Sequence, residues 1–202
     1  DADGDGIPEP VYYNGFRAGQ DVIGPSHPGG AGIFDFPGIP RTSTTQVKKL
    51  GIENMSERCV QGRGVMIDLH AHVGRQRVNI DYDHLMDILR QDNVTVESGD
   101  MVCLHTGFAD LLLEMNKQPP PDILERYGAG LDGRDPKLLQ WITDSGLVAL
   151  IADNYAVEAL PATHGKAPCA TMPLHEHCLF KLGVHLGEIW HLGPLAHWLR
   201  AH

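Results

Sequence analysis

Apolar positions recur in two rhythms along the chain. Short, mainly apolar runs predict buried strands over 65–69, 101–105 and 147–152. Between and after them, apolar residues return at helical spacing. Residues 81–91 read as a helix capped by Asp81, with Leu85, Ile88 and Leu89 on one face. Residues 108–115 read as a second, ended by Pro119, Pro120 and Pro121. Residues 135–145 form a third, with Pro136 in its first turn, Leu138, Leu139 and Ile142 apolar, and Gly146 as the stop. Another runs over 173–182 to a stop at Gly183, and one more opens at Gly193. Alternating strands and helices predict an α/β fold.

The first forty residues break both rhythms. Residues 1–40 are rich in Gly and Pro and read as a long irregular stretch. Residues 44–59 are mixed, a helical turn and its exit. Within the first stretch, Asp1, Asp3, Asp5 and Gly6 resemble the start of a calcium loop. Position twelve is Tyr12 instead of a bidentate Glu, and Pro8 and Pro10 break the exit helix, so an acidic solvated terminus is the better reading. There is no internal repeat.

Composition narrows the function classes. The chain has 202 residues, which suits one domain over 1–202. A formal net charge of −10 argues against phosphate-driven nucleic-acid binding. No apolar run reaches the roughly 18–20 residues that cross a bilayer, and the first residues do not form a signal peptide. The expectation is a cytoplasmic protein without membrane partners. Its four cysteines form no CxxC pair and are expected to be reduced and mostly buried. Twelve histidines direct attention to metal chemistry. No GxSxG elbow, Walker loop or GxGxxG after a strand is present.

The densest chemistry lies near the end, in Leu174-His175-Glu176-His177 and, eleven residues after His177, Glu188. Imidazole and carboxylate bind Zn²⁺ or Mn²⁺ and leave room for water. A helix bearing His, a glycine stop and a returning strand bearing Glu could join these groups. The plainer reading is two surface histidines and an unrelated Glu, since His-x-His on a helix does not share a face. Asp153, Asn154 and Glu158 follow a buried strand, where polar groups often face a site. They could equally be a capped loop satisfied by backbone donors. Arg63 reads as structural, paired with Asp68 or another acid. His70 and His72 would point the same way if their strand continued, as a second ligand pair.

Taken in order, several segments resemble the cyclase family of metal-dependent hydrolases, which includes kynurenine formamidases and isatin hydrolases. They are Tyr13-Asn-Gly-Phe16, Gly62-Arg-Gly-Val-Met-Ile-Asp68, Val96-Glu-Ser-Gly-Asp100, Thr106-Gly-Phe108, Ala152-Asp-Asn154, Glu158 through Pro161, His177 through Glu188, and Leu192-Gly-Pro-Leu-Ala196. The resemblance implies a swivelling β/β/α-type domain with a mixed sheet, incomplete at both ends. The family's His-Gly-Thr-His metal motif has no counterpart before Tyr13. The resemblance also implies hydrolysis of C–N bonds in small amides or lactams by water on Zn²⁺ or Mn²⁺. His177 and Glu188 are the expected catalytic and metal residues, with His175 next. Tyr13, Asn14 and Phe16 would line the substrate pocket, and a homo-oligomer is expected. The alternatives are a non-catalytic relative without the metal motif and a lactone- or ring-closing enzyme.

Overall fold

A computed structural model describes residues 4–6, 8, 10–23, 46–116, 118–120 and 122–202. It divides into two compact units, 1–61 and 62–202. In the first, a 3₁₀ turn at Tyr13–Gly15 precedes an antiparallel pair, β1 (Val22–Ile23) and β2 (Gln46–Val47). Helix α1 (Glu53–Arg58) follows. The calcium-loop positions Asp1 and Asp3 lie outside the described residues.

The second unit opens with strand β3 (Gly64–Ile67) and the short helix α2 (Leu69–Val73). Then come β4 (Asn79–Ile80), α3 (Tyr82–Gln91), β5 (Met101–Leu104), α4 (Phe108–Glu114) and α5 (Ile123–Arg126). They are followed by β6 (Gly130–Leu131), α6 (Pro136–Ser145) and β7 (Ala149–Ala152). Helix α7 (Pro173–His175) widens into a π-helical stretch, Glu176–Leu182, before β8 (His185–Gly187) and α8 (Gly193–Ala201).

Four strands make one sheet in the order β3-β5-β7-β8, parallel throughout. Leu104 pairs with Ala152 and Ile151 with Gly187, so the strand ends lie in near-register. The α/β class expected from the sequence is the class of the fold. The core forms where apolar strand residues meet amphipathic helices. Ile67, Leu104 and Leu150 pack with Leu85 and Ile88 of α3 and Leu138 and Ile142 of α6. Burying such side chains contributes roughly 1.5–3 kcal/mol each, which holds the strand ends in fixed relation. Gly146 ends α6 with φ +67°, a left-handed cap that a side chain disfavours.

The structure corrects several local expectations. The strand predicted over 65–69 stops at Ile67, because the Asp68 side chain accepts the backbone N–H of Ala71 and caps α2. His70 and His72 therefore lie on a helical turn and do not share a direction. His72 Nε2 meets the Asp92 carboxylate at 3.0 Å, whereas His70 packs against His105. Arg63 has the structural pairing expected of it, with Asp100 as the acid, at 2.7 and 2.8 Å. The cysteines are free as expected, but Cys59 and Cys169 are exposed and only Cys178 is buried. Burial pushes the Cys178 thiol up to about 12.

Candidate active site

A polar residue stands directly after each strand of the parallel sheet: Asp68 after β3, His105 after β5, Asp153 after β7 and Glu188 after β8. The carboxyl ends of parallel strands are the usual place for sites in open α/β sheets. Two clusters grow from these positions.

The first is built on His175. Its Nδ1 lies 2.7 Å from Glu158 Oε1 and its Nε2 lies 3.0 Å from Glu188 Oε1. Glu158 is buried and also accepts the backbone N–H groups of Leu174 and His175. This carboxylate thus takes three N–H donors and fixes the imidazole's orientation. Asn154 builds the turn that presents Glu158: its Oδ1 accepts the Val157 N–H at 2.7 Å and its Nδ2 donates to the Ala129 carbonyl at 2.8 Å. Gly133 lets the two segments approach, since a Cβ there would stand 2.5 Å from Glu158 Oε2. Burial pulls the His175 pKa down, but the hydrogen bonds and charges of Glu158 and Glu188 outweigh it, and the net shift is upward. Glu188 is held at the edge of solvent.

His177 does not join this pair. It sits in the π-helical stretch, two residues past His175, and its Nε2 meets Thr143 Oγ1 at 2.9 Å. Desolvation lowers its pKa. Tyr13 and Phe16 belong to the first unit, where Tyr12 N–H donates to the Phe16 carbonyl and Phe16 N–H to the Tyr13 carbonyl. Beside Glu158 lies a small cleft, with room for little more than a water molecule, lined by Arg77, Phe108, Tyr127, Asn154 and Tyr155.

The second cluster centres on His105, which is wholly buried. Asp68 Oδ1 meets its Nδ1 at 2.8 Å, and Arg200 Nε donates to Asp68 Oδ2. Burial alone would raise the Asp68 pKa, but the His105 and Arg200 hydrogen bonds hold it well below the usual carboxylate range. Burial depresses His105, yet the Asp68 bond and the Asp153 charge leave it raised. Burial also lowers the pKa of His70. Asp153 accepts the Thr106 N–H and hydroxyl at 2.6 Å each and the Gly107 N–H at 2.8 Å. Among the described residues, Asp68, His70 and His105 form a group that could hold a metal ion.

The sequence pointed to Glu188 and placed His175 second. It missed Asp68 and His105, which read as the tail ends of their strands. The available signal was their equivalent position, one residue past the apolar run of two parallel strands.

A family model described as "Putative cyclase" matches residues 24–159. The chain belongs to the cyclase family. Its fold resembles a solved structure described as a novel cyclase, with a TM-score of 0.58 and 26% identity. That likeness covers 76% of this chain and 48% of the other, so the chain spans about half the length of that cyclase. No curated protein matches the chain. The matched family stretch contains Asp68, His105, Asp153 and Glu158, and stops before His175 and Glu188. Among the described residues no helix is long and apolar enough to cross a membrane.

Proposed function

We propose that the chain is a metal-dependent hydrolase of C–N bonds in small amides or lactams. The observation that carries this reading is His175 clamped between buried Glu158 and solvent-edge Glu188, in a chain of the cyclase family. The pair suits a metal. Glu158 occupies Nδ1, which leaves Nε2 to act as a ligand in the carboxylate–histidine arrangement common around zinc. Nε2 and Glu188 Oε1 stand 3.0 Å apart. Ligand atoms around Zn²⁺, bonded at about 2.1 Å, are spaced by roughly 3.0–3.4 Å. We therefore assign the ligand roles to His175 and Glu188, in preference to His177.

A bound Zn²⁺ or Mn²⁺ ion would supply water of lowered pKa and polarise the substrate carbonyl. The chain's own groups do the rest. Glu188, open to solvent, serves as that ligand or, in the alternative, as the carboxylate that receives a proton. Glu158 keeps the imidazole in one orientation and tautomer. Tyr13, Asn14 and Phe16 remain proposed substrate contacts of the same domain over 1–202, and we propose a homo-oligomeric, cytoplasmic enzyme.

Hydrolysis of an aryl formamide and of isatin by the chain, with added Mn²⁺ or Zn²⁺, tests this reading. We expect turnover that falls about 100-fold or more in Glu188→Gln. Absence of turnover with either substrate class and either metal would favour a non-catalytic relative of the fold.

A further inference from the structure

Among the described residues, two β-branched side chains stand on a backbone that such side chains resist. Val157 has φ +59° and Ile189 has φ +55°, both in the left-handed region. Crowding at Cβ makes that region costly for Val and Ile, so they stay there only where their surroundings fix them. Both adjoin the carboxylates around His175: Val157 precedes Glu158, and Ile189 follows Glu188.

Both are fastened to Asn154. Its Oδ1 accepts the Val157 N–H at 2.7 Å, and its backbone carbonyl accepts the Ile189 N–H at 2.8 Å. Its Nδ2 donates to the Ala129 carbonyl at 2.8 Å, which aims Oδ1. Asn154 is itself buried. The residue before it, Asp153, accepts the Thr106 N–H and hydroxyl and the Gly107 N–H, so the segment is anchored to the turn after β5. The Ile189 side chain is 48% exposed, so its burial does little to hold that conformation. Backbone bonds do: Ile189 to Asn154, and the Trp190 N–H to the Ala152 carbonyl at 3.2 Å.

We propose that Asn154 is a positioning residue, whose side chain and carbonyl together fix the turns that bring Glu158 and Glu188 to opposite nitrogens of His175. The inference deepens the hydrolytic reading and rests on the ligand roles assigned above to His175 and Glu188. Asn154 acts through the two glutamates and is not itself a ligand. Because one residue sets both turns, the 3.0 Å between His175 Nε2 and Glu188 Oε1 is held before an ion arrives. Ligands already in place bind more tightly than ligands that must be gathered. Without the amide, Val157 is free to relax to negative φ. That turns Glu158 away from Nδ1 and shifts the carbonyl that holds Ile189.

Asn154→Ala and Asn154→Ser test the role, with Ile142→Val as a control that loosens the core at α6 and leaves both glutamates alone. Circular dichroism checks the fold of each. One readout is the Co²⁺ affinity of the metal-free chain by calorimetry. The other is the proton–nitrogen NMR spectrum of the histidine rings without metal. There the His175 Nδ1–H bonded to Glu158 gives a protected low-field signal, identified by its loss in His175→Ala. We expect Asn154→Ala to weaken Co²⁺ binding about tenfold or more and to lose the signal. Asn154→Ser, whose hydroxyl accepts an N–H more weakly, should fall between. Ile142→Val should keep both. Parent-like affinity and signal in the folded Asn154 variants, or equal losses in Ile142→Val, would overturn the proposal. A parent chain that binds no Co²⁺ would sink the ligand assignment alone. The ring signal then decides: its persistence in the Asn154 variants, or its absence from the parent, would overturn the positioning role.

Discussion

Glu158 does at once what the sequence offered as alternatives. Its carboxylate is satisfied by backbone donors, as a capped loop would be, and it also holds the His175 imidazole. Glu158→Ala would strand three donors at a buried position. We predict a loss of about 2–4 kcal/mol of stability, read by denaturant unfolding. Glu158→Gln should cost only about 1 kcal/mol, because the amide oxygen still accepts. A second residue-scale prediction concerns Asp100. The Arg63 hydrogen bond and the Glu97 backbone N–H lower its pKa from 3.8 to about 2. A depressed carboxylate contributes stability above its unfolded pKa and loses it as pH falls through the folded value. Arg63→Ala should therefore lower the thermal midpoint near neutral pH and shrink the further drop between about pH 5 and pH 2. An unchanged acid profile would remove Arg63 as the cause. At this scale the sequence was partly legible. Glu188 stood out because His, Gly and Glu were closely spaced. His105 and Asp68 did not, because a strand's last apolar residue hides the polar one beyond it.

The elements with long apolar signals were legible, and the short ones were not. Helices α3 and α6 and strands β3, β5 and β7 lie where the apolar rhythm put them, within a few residues. Strands β4 and β6 have two residues each, too few to show alternation, and they exist because they pair with each other. The predicted helix over 173–182 becomes one α-turn and a π-helical stretch, a widening that hydrophobic pattern does not encode. π-Helical turns recur at functional sites, and this one separates His175 from His177. At the start of α6, Asp135 accepts the Lys137 N–H at 2.9 Å and the Tyr82 N–H of α3 at 2.6 Å. It caps one helix and fastens it to another. Asp135→Ala should cost about 1–2 kcal/mol, more than a cap with a single bond, in thermal or urea unfolding. A change below about 0.3 kcal/mol would show that the cap carries no weight.

At the scale of the whole molecule, parallel strands bring four polar residues from distant stretches of sequence to the carboxyl end of one sheet. The sequence foresaw the α/β class but not this convergence, since strand order is a long-range property. Metal binding at that end links to stability. A ligand at about 100 times its dissociation constant adds about 2.7 kcal/mol per site to the folded state. We predict that Zn²⁺ raises the thermal midpoint of the chain and that a chelator reverses the rise. The central claim is that His175 and Glu188 hold the hydrolytic metal. Its most direct test is the metal content of the purified chain and of His175→Ala, Glu188→Ala and His177→Ala, by elemental analysis. The account predicts that Zn or Mn falls by one equivalent in the first two variants and is retained in His177→Ala. Metal content that is unchanged in His175→Ala and Glu188→Ala, or lost only in His177→Ala, would contradict it.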